Sequence, residues 1–443
     1  MRRAGPPHTV QGDSMTEPGP VGDAAVASRS SERHGWLRQG GLVAAALTVG
    51  NILGYGLSVV ASRRLGPAEF GVLAAMFGLV IVGFVVSLGL QTVVTRRLAG
   101  NPGADLAALS GTAMAASLAT GGVLVLAAWP VAAFLHLATP APVLWTAATL
   151  VPLTWSGFVQ GAAQGRERFG VLGLVVIVVT FTKVLGGLVG VLVSRSATVT
   201  MALTAVGTLI GTALATLFAR HLLARPRRGH WPVREVSQAS HALFALFVLT
   251  NTDLLLARHY LPAVSAGVYG VGALVTKVAF WLPQFVSVVA LPRLVDPERH
   301  ARALRLAVLL LFGIGATVTL GTAILGSLTV KIIGGGAYSE LAPYAWRFAA
   351  LGSCLALAQL LLYARLARGD HRATAVVWLA VAVQVGAVAA LAHGSVLAIV
   401  DTTLVVVLAL VAVALLTERA QSEGGPRPDS EPAQEAAGQG GGA

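Results

Sequence analysis

The chain has 443 residues, of which 55% are hydrophobic and only 11% are charged. A soluble domain carries roughly 25% charged residues, so this composition excludes a soluble globular protein. The single cysteine, Cys354, excludes an internal disulfide and a cysteine-based metal site. Only three of the 31 basic residues are lysines, so the net charge of +12 is more typical of a compositional bias than of a nucleic-acid partner.

The two ends of the chain differ from its middle. Residues 1–40 are polar and rich in Gly, Pro, Ser and Arg, which predicts a disordered arm. The first apolar run, residues 42–61, is too long for a signal-peptide core of roughly 7–15 residues. It therefore predicts an uncleaved first helix, whether translation starts at Met1 or at Met15. Residues 418–443 are polar, Gly-rich and acidic, and predict a solvated tail.

Apolar runs of about 20 residues, each able to cross roughly 30 Å of hydrocarbon, recur between these ends. They predict an all-α polytopic membrane protein with about twelve transmembrane helices. The predicted spans, numbered 1 to 12 in chain order, are residues 42–61, 70–93, 110–129, 142–162, 171–193, 199–219, 240–257, 266–290, 305–327, 345–364, 374–392 and 396–416.

The basic residues are unequally shared between the two sides of this topology. One side receives 23 arginines and the other six basic residues, while Lys183 and Lys277 lie inside spans. The positive-inside rule places the arginine-rich side in the cytoplasm, so both termini are expected to be cytoplasmic in a bacterial plasma (inner) membrane. The six residues of the outer side are Arg63, Arg64, Arg195, Arg258, Lys331 and Arg347.

The two halves of the chain carry related sequences about 195 residues apart. Because each half has six spans, both enter the membrane in the same orientation, and a pseudo-two-fold axis along the membrane normal should relate two six-helix lobes. The expected organisation is an arm (1–40), an N-terminal lobe (41–222), a basic cytoplasmic linker (223–239), a C-terminal lobe (240–417) and a cytoplasmic tail (418–443). The matched pairs are Arg63 and Arg258, Pro67 and Pro262, Gly71 and Gly267, Arg97 and Arg293, and Gln160 and Gln359.

Lys183, Asp253 and Lys277 are ionisable residues inside predicted spans. Such a residue costs roughly 2.5–3.5 kcal/mol at the bilayer centre, so those retained usually face a cavity or a partner. Lys277, Trp281 and Gln284 share one helix face, and a cationic, aromatic and amide-lined stripe would suit a sugar pyrophosphate. The alternative is that Lys277 pairs with Asp253 and only ties spans 7 and 8 together.

Asp253 has two further interpretations, because it lies near the outer end of span 7. It either forms a structural salt bridge with Arg258 or serves as a coupling site for a proton or sodium ion. Several amides could line a central cavity, or could form hydrogen bonds between helices instead. They are Asn51, Gln91, Gln160, Gln164 and Gln359. Three small-residue motifs predict close helix contacts: Gly50/Gly54, Gly186/Gly190 and Gly207/Gly211.

Four stretches carry a resemblance to a known family: ASRRLGPAEFGVLAAM (61–76), LQTVVTRRLA (90–99), DLLLARHYLPAVSAGVYGVGALV (253–275) and VVALPRLV (288–295). They resemble the polysaccharide-type (Wzx-like) flippases of the multidrug/oligosaccharidyl-lipid/polysaccharide (MOP) exporter superfamily, over about residues 42–416. The resemblance implies movement of a polyprenyl-pyrophosphate-linked oligosaccharide from the inner to the outer leaflet by alternating access. It also implies membrane lipids and polysaccharide assembly proteins as partners, and no catalytic residue, metal or cofactor.

Three other functions compete with this interpretation. A drug/cation antiporter of the same superfamily would favour acids in its cavity, whereas these spans hold one acid and two lysines. A lipid II flippase of the superfamily usually carries extra helices. A membrane glycosyltransferase or polysaccharide polymerase, the rival from a different class, usually needs acids or a sizeable outer loop near its first spans, and the first outer loop here offers only Glu69.

Overall fold

The computed structural model describes residues 45–46, 48–101, 103–227, 233–283, 300–370 and 372–423. Eleven helices in these ranges are long and apolar enough to cross a membrane, and a further helix, 48–65, lies on predicted span 1. Each predicted span therefore corresponds to a long helix. The all-α polytopic fold with about twelve transmembrane helices is confirmed.

The α-helices of the described ranges are numbered here in chain order, and two 3-10 helices, Arg220–Leu222 and Gly336–Tyr344, join them. The α-helices are α1 (48–65), α2 (Pro67–Gly100), α3 (Leu106–Leu126), α4 (Ala128–Phe134), α5 (Ala141–Gly165), α6 (Phe169–Val193), α7 (Ala197–Phe218), α8 (Val233–Tyr260), α9 (Ala263–Trp281), α10 (His300–Ile324), α11 (Gly326–Ile333), α12 (Ala345–Ala367), α13 (Arg372–Leu391) and α14 (Val396–Glu423).

Two helices extend into the segments predicted as linker and tail. Helix α8 begins at Val233, inside the segment predicted as a linker, and α14 continues to Glu423, past the predicted start of the tail. The extension of α14 is fixed by arginines at the end of α12: Arg365 contacts Thr417, and Arg368 pairs with the carboxylate of Glu418, which is buried. These contacts hold the last turns of α14 against the bundle.

Most of the described connections between successive long helices are short, so the helix ends alternate between two faces of the bundle. We name these the Arg63 face, which also carries Arg258 and Lys331, and the Arg97 face, which also carries Arg365. By the charge prediction the Arg63 face is the outer one. Helices α1–α7 form the first lobe and α8–α14 the second.

Glycines set the packing of α6 on α7 within the first lobe. A Cβ atom added at Gly186 or at Gly207 would lie 2.2 Å from a backbone oxygen of the opposite helix, and Gly190 and Gly211 are also in close contact with it. Both motifs therefore mark close helix contacts, as predicted. Gly54 does not, because nothing lies within 4 Å of its Cβ position.

The two lobes meet along α2, which packs against both α8 and α9. Close contacts follow α2 across the membrane, from Gly71 against Gly267 near the Arg63 face to Gly89 against Ser240 near the other face. There, Arg97 of α2 donates hydrogen bonds of 2.7 and 3.1 Å to the Glu235 carboxylate of α8.

This ion pair is exposed. Hydrogen bonding from Arg97 lowers the pKa of Glu235, so the pair is intact at neutral pH and is lost as the pH falls through that lowered pKa. Because half-exposed pairs contribute only about 0–1 kcal/mol, we regard it as a weak contact between the lobes.

Candidate functional site

A small pocket lies at the contact between the lobes, and Lys277 is one of its lining residues. Its volume is about 30 Å³. Lys277 is 14 residues beyond the start of α9, which places it roughly 21 Å along the helix from the Arg63 face. The pocket is therefore deep in the bundle. Its described lining belongs to the second lobe except for Ile81 of α2, and the residues that matter below are Ile81, Thr250 and Asn251 of α8, and Lys277 and Trp281 of α9.

Lys277 and Trp281 lie side by side in this pocket, as their predicted common helix face requires. Gln284, the third member of the predicted stripe, lies outside the described residues. Within the described part of the chain no carboxylate comes within 4.0 Å of the Lys277 ammonium group, so it has no ion-pair partner there. A lysine in this position can offer its three N–H donors to a ligand in the pocket.

Asn251 was not predicted from the sequence, yet it lies beside Lys277 in the pocket. Its side chain is 1% exposed, and its Nδ2 donates to the Phe247 carbonyl at 2.8 Å and to the Thr250 hydroxyl at 3.1 Å. Its Oδ1 has no hydrogen-bond partner in the described structure. A buried acceptor left unpaired costs about 1–3 kcal/mol, so Asn251 is suited to accept a hydrogen bond from a ligand or a water molecule.

Asp253 is also buried, but it belongs to a different polar group. The Tyr269 hydroxyl donates to Asp253 Oδ2 at 2.7 Å, and Thr403 of α14 lies beside that hydroxyl. Gln384 of α13 adds a further hydrogen bond to this group, donating to the Thr403 hydroxyl at 3.3 Å. Within the described residues Asp253 forms no salt bridge with Arg258 or Lys277, so neither structural pairing considered from the sequence is observed.

The predicted amides are dispersed rather than gathered around the pocket. Gln91 donates to Gln164 at 2.9 Å, which is the predicted alternative of a hydrogen bond between helices, here α2 and α5. Gln160 and Gln359 each bond to a hydroxyl one turn away on their own helix. Asn51 is exposed on α1.

Lys183 lies on α6 and does not line the pocket. It is half-buried and sits between Thr180 and Gly187, which both pack against α1. The two intramembrane lysines therefore occupy different places, one inside the first lobe and one at the contact between lobes.

Solved structures that share this fold include membrane transporters and a lipid flippase. A multidrug resistance MATE family transporter of the MOP superfamily, in an inward-facing conformation, matches with a TM-score of 0.64 and 12% identity over 84% of this chain and 96% of that one. The lipid II flippase MurJ, in an inward closed conformation, matches with a TM-score of 0.68 and 12% identity over 85% and 87%.

A MOP superfamily transporter from Pyrococcus furiosus matches with a TM-score of 0.53 and 14% identity over 86% of this chain and 95% of that one; a reversed polarity of its binding pocket has been taken to suggest a different function. A search of curated sequences gave no match. The profile of the family described as "Polysaccharide biosynthesis protein" matches residues 60–343.

The chain belongs to the polysaccharide biosynthesis protein family, and it has the MOP fold. The resemblance to the polysaccharide-type flippases of the MOP superfamily, predicted from the sequence, is confirmed. Family and fold together support a multi-pass membrane transporter of the flippase type.

Proposed function

We propose that the protein is a flippase that carries a polyprenyl-pyrophosphate-linked oligosaccharide from the inner to the outer leaflet of a bacterial plasma membrane. The first lobe (α1–α7) and the second (α8–α14) would alternately expose the pocket between them to either side. The Arg97 face is then cytoplasmic, as the 23 arginines predicted for that side require, and both termini are cytoplasmic.

The observation that carries this proposal is the ammonium group of Lys277, which forms no ion pair with any described residue and lies in a pocket between the lobes. An intramembrane charge without a partner is expensive to keep, which favours an anionic ligand as its partner during function. A pyrophosphate supplies that charge. Asn251 offers an acceptor for a sugar hydroxyl, and Trp281 offers an aromatic surface for a sugar ring.

The present size of the pocket supports alternating access rather than a permanent channel. A ligand pocket usually has roughly 300–1,000 Å³, whereas this one has about 30 Å³, room for about two water molecules. Cargo entry therefore needs the lobes to separate. The weak, exposed Arg97–Glu235 pair is one contact that would have to break on the cytoplasmic side, together with the packing of Gly89 against Ser240.

The membrane potential favours outward movement of this cargo. A pyrophosphate head carries about two negative charges, and each gains roughly 2.3 kcal/mol per 100 mV when it moves outward across an inside-negative membrane. We further propose that Asp253, with Tyr269, couples this movement to a proton or sodium gradient.

Leaflet exchange in liposomes tests the proposal directly. The purified protein is reconstituted with a fluorescent polyprenyl-pyrophosphate oligosaccharide, and an impermeant quencher reports how much of the lipid reaches the outer leaflet. We expect protein-dependent exchange of this lipid and none of a neutral glycolipid. Exchange of lipid II alone would reassign the cargo. Uptake of small organic cations without any glycolipid exchange would overturn the proposal in favour of a drug/cation antiporter.

The coupling role of Asp253 has its own test. Asp253→Asn keeps the size of the side chain and an acceptor for the Tyr269 hydroxyl, but it removes the charge. We expect the stimulation of exchange by an imposed proton or sodium gradient to fall at least about fivefold, with stability changed by under about 1 kcal/mol. Asp401→Asn, at an acid of α14 that pairs with Arg347 and has no hydrogen bond to this group among the described residues, is the matched control. Full gradient stimulation in Asp253→Asn would remove Asp253 from the coupling mechanism.

A further inference from the structure

The end of the short helix α11 is held by residues of the opposite lobe. The last four carbonyl groups of a helix have no partner within it. Here Arg63 Nη2, from the end of α1, donates to the carbonyls of Lys331 at 2.9 Å and Ile332 at 2.5 Å. Ser62 Oγ donates to the next carbonyl, that of Ile333, at 2.7 Å. A cation at a helix C-terminus also interacts favourably with the helix dipole.

The short helix α4 of the first lobe is held in the same way by the end of α8, which belongs to the second lobe. His259 Nδ1 lies 2.6 Å from the carbonyl oxygen of Phe134 and must donate a hydrogen bond to it. The His259 ring also stacks on the Phe134 ring with centroids 4.2 Å apart. Arg258 Nη2 lies 3.5 Å from the carbonyl of His136, a longer and weaker contact.

The two contacts are related by the internal repeat. Arg63 and Arg258 are matched residues at the ends of the first helix of each lobe, and α4 and α11 occupy matching places after the third long helix. Each lobe therefore reaches across to cap the short helix of the other. Both caps lie on the Arg63 face, where α2 and α9 also meet at Gly71 and Gly267.

We propose that these reciprocal caps are the latch that keeps the Arg63 face closed, and that Arg63 and His259 are functional residues of the transport cycle. The Arg63 cap consists of Ser62 and Arg63 on the carbonyls of residues 331–333, and the His259 cap of Arg258 and His259 on those of Phe134 and His136. Since each cap joins one lobe to the other, the lobes cannot separate at this face while both are formed.

The acceptors in both caps are backbone carbonyls, so substitutions at donor residues and at acceptor residues should have different effects on the latch. Removing a donor side chain breaks a cap, whereas replacing the side chain of an acceptor residue leaves the carbonyl in place. Arg64 supplies a matched control, because it neighbours Arg63, is exposed, and has no hydrogen bond within the described residues. Arg64→Ala removes the same charge from the same turn of helix.

Cysteine labelling from each face tests the latch without any cargo. Thr250→Cys, in the pocket, is the reporter in a Cys354→Ala background, and a membrane-impermeant maleimide is applied to either face of oriented vesicles. We expect the Arg63→Ala/His259→Ala double variant to raise the labelling rate from the Arg63 face by about tenfold, because the main hydrogen-bond donor of each cap is lost. Arg64→Ala and Ile332→Ala should stay within about twofold of the parent.

Unchanged labelling in a monodisperse double variant would overturn the proposal, and so would an equal rise in Arg64→Ala. If the double variant does not fold, the Arg63→Ala single variant tests the latch instead, because its exposed side chain can be removed without disturbing the core. We expect this variant to raise the labelling rate about threefold. The readout is independent of substrate. A negative result therefore leaves the flippase proposal standing, and a failed exchange assay leaves the latch standing.

Discussion

Replacing Lys277 by alanine is expected to lower leaflet exchange of a polyprenyl-pyrophosphate oligosaccharide by about ten- to a hundredfold. Hydrogen bonds between charged groups contribute about 1.5–3 kcal/mol, and every 1.4 kcal/mol corresponds to a factor of ten. The loss should be specific to cargo that carries phosphate. Because Lys277 has no ion-pair partner within the described residues, its removal breaks no salt bridge there, and the variant should fold.

Two companion variants separate a role in binding from a general loss of charge. Lys277→Arg keeps the cation and should retain a substantial part of the exchange, whereas Lys331→Ala removes an exposed lysine of α11 and should change exchange by less than about twofold. Normal exchange in a folded Lys277→Ala variant would restrict Lys277 to a structural role and would contradict the proposed pyrophosphate contact. Measuring initial rates at several cargo densities separates weaker binding from slower movement.

The sequence patterns predicted where the helices lie, but they did not predict the polar contacts between those helices. Helices α8 and α9 form a hairpin that turns at Leu261, so residues equally far from the turn lie at the same depth. Asp253 and Tyr269 are each eight residues from Leu261, which explains their hydrogen bond. Lys277 is sixteen residues from it, roughly 12 Å deeper than Asp253 at 1.5 Å per residue. Counting residues from Leu261 in the sequence would therefore have argued against an ion pair between Lys277 and Asp253. It would have predicted Tyr269 as the hydrogen-bond partner of Asp253.

Asn251 shows a different limit of prediction. Nothing in its local sequence distinguishes it from the other amides, and its place in the pocket depends on α2 from the other lobe. Gly78 of α2 lies beside it, since a Cβ there would be in ordinary van der Waals contact with Asn251 Oδ1, at 3.5 Å. Contacts between distant segments of this kind depend on how the lobes dock. The internal repeat, in contrast, could be predicted because it is a match between residues at a constant spacing in the sequence. In the structure, Arg63 and Arg258 do occupy corresponding places, near the ends of α1 and α8.

The repeat also identifies a position at which a very small change should have a large structural effect. A Cβ atom at Gly267 would lie 1.9 Å from the carbonyl oxygen of Pro67 and 2.4 Å from its carbon. These are backbone atoms that no side-chain rotation can move, so α2 and α9 must separate at the Arg63 face. We expect Gly267→Ala to destabilise the protein by about 1–3 kcal/mol or more, the usual cost of overpacking, and to raise labelling of the Thr250→Cys reporter from that face.

The matched glycine and an open glycine make this prediction specific. A Cβ at Gly71 would come within 2.9 Å of the Gly267 nitrogen, so Gly71→Ala should act in the same direction but less strongly. Gly54→Ala, where nothing lies within 4 Å, should leave both thermal stability and labelling unchanged. If Gly267→Ala behaves like Gly54→Ala, the two helices are not in contact at this face. If it lowers stability without raising labelling, the crossing holds the lobes together but does not govern access to the pocket, and the two caps alone would have to close it.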